Sequence, residues 1–187
     1  CDYGNIAISA DGNVCLCPII PEMKPVGNVR VNSFDELLDI LKEHLRYTYA
    51  NILQTGKVRI EFISIENGHP RWESLQALVP QWVGGARVSI PQQEYDLGTG
   101  KVKISCEYGC IVPSKENHCY YLGNMETSGV ELRINGRAVE HGLMKAIWGR
   151  KVHNSQNAFL VRVNLETNDF DVLPSTKNAK NGFREED

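Results

Sequence analysis

Residues 129–149 read GVELRINGRAVEHGLMKAIWG, and residues 158–177 read AFLVRVNLETNDFDVLPSTK. Their hydrophobic period changes twice. Val130, Leu132 and Ile134 alternate with their neighbours, as one face of a strand does, and run into Asn135-Gly136, a strong two-residue turn signal. Ala138 to Trp148 then predicts a helix, with Val139, Leu143 and Ile147 stacked four apart and Met144 four before Trp148. Phe159, Val161, Val163 and Leu165 return to the period of a strand, and Asn168-Asp169 reads as a turn.

Working outward, Val102 and Ile104 alternate with Lys101 and Lys103 as a strand, and so do Val58, Ile60 and Phe62 with Lys57, Arg59 and Glu61. Ser33 opens a long helix. Asp35 and Glu36 sit where the dipole favours negative charge, and Phe34, Leu37, Leu38, Leu41, Leu45, Tyr49 and Ile52 recur at helical spacing until Gly56. Nearer the start, Ile6 and Ile8 precede Asp11-Gly12-Asn13 and Val14, the pattern of a hairpin, before Pro18, Pro21 and Pro25 enforce an irregular connection. The stretch from Pro174 to Asp187 is polar. Strands with a few unevenly placed helices indicate an α+β fold: a small N-terminal hairpin module followed by a mixed sheet with crossover helices.

At 187 residues, 42% hydrophobic and 23% charged, the composition is that of an ordinary globular protein. The net charge of -3 gives no general attraction to nucleic acid or to a membrane surface. No apolar run approaches the roughly 18 residues that span a bilayer. The six cysteines fall into two groups, Cys1, Cys15, Cys17 and Cys106, Cys110, Cys119. Without secretory signals, thiols or a partial metal site in a cytoplasmic protein are the expectation.

Two resemblances give these segments a meaning. Cys1, ten residues, Gly12, four residues and Cys17, with ISADGNVCLCP, PVGNVR and SFDELLDIL, resemble the opening half of the SPASM domain of radical SAM peptide-maturing enzymes. The likeness covers residues 1–44. It implies that Cys1 and Cys17 are ligands of an auxiliary 4Fe-4S iron–sulfur cluster, in a chain that positions a peptide. Such a cluster needs about four thiolates. The tight run of cysteines that completes the motif in the family is not found here, and Cys15 reads as an extra thiol in the core.

Residues 45–187 resemble the transducer, the C-terminal region of GHKL ATPases, the group of gyrase, histidine kinases and MutL-like mismatch-repair proteins. The likeness rests on Asn135-Gly136-Arg137, on HLRYTYANILQTGKVRIEF (44–62), and on Asp171-Val172-Leu173-Pro174-Ser175-Thr176-Lys177, where Leu173 stands in place of the family's histidine. It implies a ribosomal-protein-like fold that couples nucleotide state to conformational change. It also implies that Lys177 enters a neighbouring ATP pocket and contacts the terminal phosphate, where an ammonium stabilises charge on the phosphoryl group. A solvated loop lysine is the plain alternative, and Lys180 is its rival.

Asp96-Leu97-Gly98-Thr99-Gly100 satisfies the family's D-x-G-x-G pattern and also reads as a glycine-rich turn. Glu36-Leu37-Leu38-Asp39 resembles the helix that supplies the magnesium-binding Asn, but that position holds Ile40. A complete ATP site is therefore not expected. ATP and Mg would be held by an N-terminal nucleotide-binding domain, and the chain by itself is expected not to be catalytic. The resemblance also admits a homodimer, and it admits nucleic acid, which the net charge does not support.

The remaining candidates have plain readings. The five histidines are scattered, and Glu66-Asn67-Gly68-His69 has no spaced metal-binding partner. Trp72, Trp82 and Trp148 read as core or interface anchors. Lys57, Arg59, Lys101 and Lys103 read as a basic stripe on solvated surface.

Overall fold

In a computed structural model, which describes residues 7–8, 10–15, 25, 27–142, 153–169 and 172–173, the N-terminal hairpin forms as expected. Strand β1 (Ala7–Ile8) pairs antiparallel with β2 (Asn13–Cys15), placing Ala7 opposite Cys15 and Ile8 opposite Val14. Strand β3 (Gly27–Asn28) adds to the other edge of β2. Asn28 secures the turn by donating to Asn13 Oδ1 at 2.8 Å and to the Asp11 carbonyl at 3.1 Å.

Ser33 caps helix α1 (Phe34–Thr48), its Oγ accepting from the Glu36 N–H at 3.2 Å. The single helix expected as far as Gly56 is two. Tyr49 leaves helical geometry at φ -103° and ψ 17°, and α2 spans Ala50–Gln54. Tyr47, Thr48 and Ala50, on either side of this break, are all buried. The buried stripe of α1 reaches both parts of the chain. Leu37 lies so close to Gly27 of β3 that a Cβ there would overlap it, whereas Tyr47 enters the main core.

Strands β4 (Glu61–Glu66) and β5 (His69–Ser74) form a separate hairpin. Its turn, Asn67-Gly68, has positive φ at both residues (51° and 80°), as a two-residue hairpin turn requires. Residues 66–69 are therefore a turn sequence. The strand expected from Val58 begins only at Glu61. Trp72 sits opposite Ile63 on this hairpin and is 61% exposed, so of the core or interface role expected of it the core half is excluded.

The principal sheet has five strands in the order β6-β7-β10-β8-β9: β6 (Val88–Asp96), β7 (Lys101–Cys110), β8 (Gly129–Ile134), β9 (Arg137–Glu140) and β10 (Phe159–Glu166). It is mixed, because β8 and β10 run parallel and the other pairs are antiparallel. The protein is thus α+β. Two turns match their sequence signals. Asn135 and Gly136 have φ of 50° and 81° between β8 and β9. Asp96 accepts the Gly98 N–H at 2.9 Å between β6 and β7, so the D-x-G-x-G pattern is the corner of a hairpin.

The helix expected from Ala138 is corrected at its start. Residues 138–140 belong to β9, because the tight Asn135-Gly136 turn folds the chain back along β8 before any helix can begin. Residues 143–152, including Trp148, lie outside the described residues. The outer strand β6 carries Pro91 within a register shift between Ile90 and Gln93.

The core lies between α1 and the sheet. Tyr47, Leu78, Ile111, Tyr120, Tyr121 and Leu160 form it, with Trp82 packed against its rim. Tyr47 and Tyr120 stack with ring centres 3.7 Å apart. Among the described residues, no helix is long and apolar enough to cross a membrane.

Candidate functional site

The Asn135 turn is built to hold more than its own hairpin. Its side-chain Nδ2 donates to the Thr167 carbonyl at 2.9 Å, and its Oδ1 accepts from the Thr167 N–H at 3.0 Å. Its backbone N–H donates to the Leu165 carbonyl at 2.8 Å. Thr167, itself buried, donates its hydroxyl to the Lys101 carbonyl at 2.6 Å and accepts from the Asp169 N–H at 3.0 Å. The start of β7, the end of β8 and the end of β10 are thereby tied at one point. Beside it opens a cleft of about 830 Å³, lined by Glu94, Lys101, Lys103 and Glu166 among others. On the inner side, Gly136 packs on α2, where a Cβ would come within 3.3 Å of both Ile52 and Asn51.

Behind this junction the sheet face turned toward the helices is polar, which the alternation of Val161, Val163 and Leu165 does not reveal. Cross-strand register aligns Ser89, Glu107, Arg162 and Glu131 in one row, and Ser105, Asn164 and Arg133 in the next. Glu131 is 1% exposed and accepts from Arg133 Nε at 2.5 Å, Arg162 Nε at 2.8 Å and the Tyr121 hydroxyl at 3.0 Å. Burial alone would raise its pKa, but the two guanidinium groups outweigh that and hold the carboxyl below its usual range. The burial of Tyr121, together with the same carboxylate, pushes that phenol well up. Arg133 also donates to the Tyr47 carbonyl at 3.0 Å, and Arg162 to Asn51 Oδ1 at 3.3 Å, so the charged row is bonded to both helices.

A second buried polar group lies on α1. Glu43, 4% exposed, accepts from the backbone N–H groups of His118, Cys119 and Tyr120 at 2.6–2.9 Å and fastens that loop to the helix. At the adjacent position, His44 Nδ1 is 2.6 Å from the Tyr120 hydroxyl and Nε2 is 3.3 Å from the Thr48 hydroxyl. Burial, with help from His141 and Arg137, holds the His44 pKa down at about 4, so the ring is neutral at physiological pH. Sequence reading passes over both residues as sites. The i, i+3, i+3, i+4 series Leu37, Ile40, Glu43, Tyr47 carries a signal for Glu43, because it puts a carboxylate on an apolar stripe.

Lys177, Cys1 and Cys17 lie outside the described residues. Cys106, Cys110 and Cys119 are free thiols, and burial raises the pKa of Cys106 and Cys119. Among the described residues, no group of three or more His, Cys, Asp or Glu side chains is placed to hold a metal ion. Lys101 and Lys103 are exposed on β7, but Glu94 bonds Lys101 at 3.1 Å and is Lys103's cross-strand partner, so acids interrupt the basic stripe.

These residues define an α+β domain whose turns, helices and mixed sheet are bonded through buried polar side chains. No protein-family model matches the chain, and no curated protein matches it.

Proposed function

We propose that residues 45–187 are the transducer region of a GHKL-type ATP-binding protein, coupling nucleotide state to a change of conformation, with ATP and Mg held by a separate nucleotide-binding domain. The observation that carries this reading is the pair of hydrogen bonds between Asn135 and Thr167. In that reading Lys177, ten positions after Thr167 in the sequence, senses the terminal phosphate. A pull on Lys177 would be felt first at the Asn135 turn, then through Gly136 at α2. The mixed sheet with β8 parallel to β10 supports the same reading.

The test is ATP hydrolysis. The 187-residue chain alone should show none, whereas a protein joining it to the nucleotide-binding domain should lose activity on Lys177→Ala by about a hundredfold, the scale of removing one charge-stabilising donor. Appreciable hydrolysis by the chain alone, or full activity of the Lys177→Ala protein, overturns the proposal.

The N-terminal hairpin supports a second reading for residues 1–44. The β1–β2 pairing forms the turn about which the SPASM-like half-motif is spaced, and in that reading Cys1 and Cys17 help hold an iron–sulfur cluster in a peptide-maturing enzyme. Iron and sulfide content after anaerobic reconstitution tests it: a stoichiometric cluster should disappear on Cys17→Ala, and unchanged iron content removes the proposed role.

A further inference from the structure

Where α2 ends at Gln54, the polar face of the sheet emerges from beneath the helix and is left open. The opening is a cleft of about 480 Å³, separate in its chemistry from the Asn135 junction. Its floor is Glu107, Arg162 and Ser105. Asn51 and Gln54 of α2 also line it, and Val79, Pro80 and Trp82 add apolar surface. Arg87 stands at the rim with its guanidinium 5.9 Å from the Trp82 ring. The volume is within the range that takes a small organic molecule.

The charges along this floor do not cancel. Arg87, Glu107, Arg162, Glu131 and Arg133 follow one another as alternating ion pairs, at 2.5, 2.7, 2.8 and 2.5 Å in turn. Among the described residues, three guanidinium groups therefore face two carboxylates. Arg133 meets its further needs with the carbonyls of Tyr47 and Gly136, which are dipoles and leave the net charge in place. At the open end, Arg162 spends three of a guanidinium's five N–H donors, on Glu131, Glu107 and Asn51. Arg87 spends one, on Glu107, and its side chain is half exposed.

We propose that this cleft binds a small organic carboxylate, its oxygens on Arg87 and Arg162 and its apolar body against Trp82. One negative charge balances the row, where a phosphate group, closer to two charges at neutral pH, would overshoot. A guanidinium offers parallel N–H donors to a carboxylate. The Glu107 carboxylate also lies on the floor, but one of its oxygens is bonded to Arg162 and the other to Arg87, which mutes its repulsion. This inference stands independently of the transducer reading.

Benzoate is the probe, titrated into the full chain while the arginine Nε–H and Trp82 indole signals are followed by proton–nitrogen NMR. Saturable shifts at Trp82 and Arg162 are expected. Benzamide, which has the same shape without the charge, should bind at least tenfold more weakly. Arg87→Gln, at a half-exposed rim position, should keep the fold and weaken benzoate about tenfold, as loss of one charge-assisted contact does. Equal binding of benzamide, unchanged affinity in Arg87→Gln, or no shift up to about 20 mM benzoate overturns the proposal. Binding of inorganic phosphate in place of benzoate also overturns it, by assigning the cleft to phosphate-bearing ligands.

Discussion

The Arg133 guanidinium sits 5.2 Å from the centre of the Tyr47 ring and donates to the Tyr47 carbonyl oxygen at 3.0 Å. One side chain of the sheet thus holds one residue of α1 by its ring and by its backbone. Tyr47 in turn stacks on Tyr120, so helix, sheet and the loop before β8 meet at a single phenol.

The hydroxyl of that phenol has no hydrogen-bond partner among the described residues, although the ring is buried. A buried hydroxyl left unsatisfied costs free energy that a plain ring does not. Tyr47→Phe keeps the stacking and the cation–π contact and should stabilise the fold by about 1 kcal/mol. Urea denaturation of the two proteins checks it, and a loss of stability in Tyr47→Phe would mean the hydroxyl is satisfied.

Glu131 is the acid on which two buried guanidinium groups depend. Glu131→Ala should destabilise the fold by about 3–5 kcal/mol, because it leaves buried charge uncompensated. The carboxyl's depressed pKa means that its contribution is complete above the ordinary carboxylate range and is lost as pH falls through its folded value. Acid unfolding followed by circular dichroism should therefore move to higher pH in Glu131→Gln.

Asn135 has two separable duties, a left-handed backbone and the bonds to Thr167. Asn135→Gly keeps the first and loses the second, so it should cost about 1 kcal/mol. Asn135→Ala loses both and should cost about 1–2 kcal/mol more, because a Cβ without a compensating polar group resists positive φ. Hydrogen exchange at the Thr167 amide should speed up in both variants.

Much of the fold is legible from the sequence, because turns carry their chemistry locally. Asn135-Gly136 and Asp96 to Gly100 read as turns, and Ser33 as a cap, from the residues that make them. The differences arise where tertiary packing decides. Tyr49 looks helical by spacing, but it is the break between α1 and α2, with buried Thr48 and Ala50 on either side. Ala138 to Glu140 shares a helical spacing with Leu143 and Ile147, yet pairing with β8 claims it first. The charged row is hidden for the opposite reason. Glu107, Glu131, Arg133 and Arg162 have the residue types of a solvated face, and only cross-strand register reveals that they satisfy one another beneath a helix.

His44 gives the fold a pH dependence. Well above pH 7 the ring is neutral, folded or unfolded. As pH falls below about 6.5 the unfolded chain takes up a proton that the folded ring, with its pKa near 4, does not accept. Stability from this site should thus fall by about 3 kcal/mol between pH 6.5 and pH 4. His44→Gln should flatten that part of the profile, measured as urea midpoints across the window.

The interrupted edge of the sheet has a consequence for the protein in concentrated solution. An open strand of nine residues is a template on which foreign strands can stack, and a fibril seed needs a continuous segment of about six or seven. Pro91 brings no N–H to such a stack, and the shift between Ile90 and Gln93 divides β6 into paired runs at Val88–Ile90 and Gln93–Asp96. Among the described residues no strand pairs with the outer side of β6, and neither run along it is long enough to seed, so this edge resists amyloid growth.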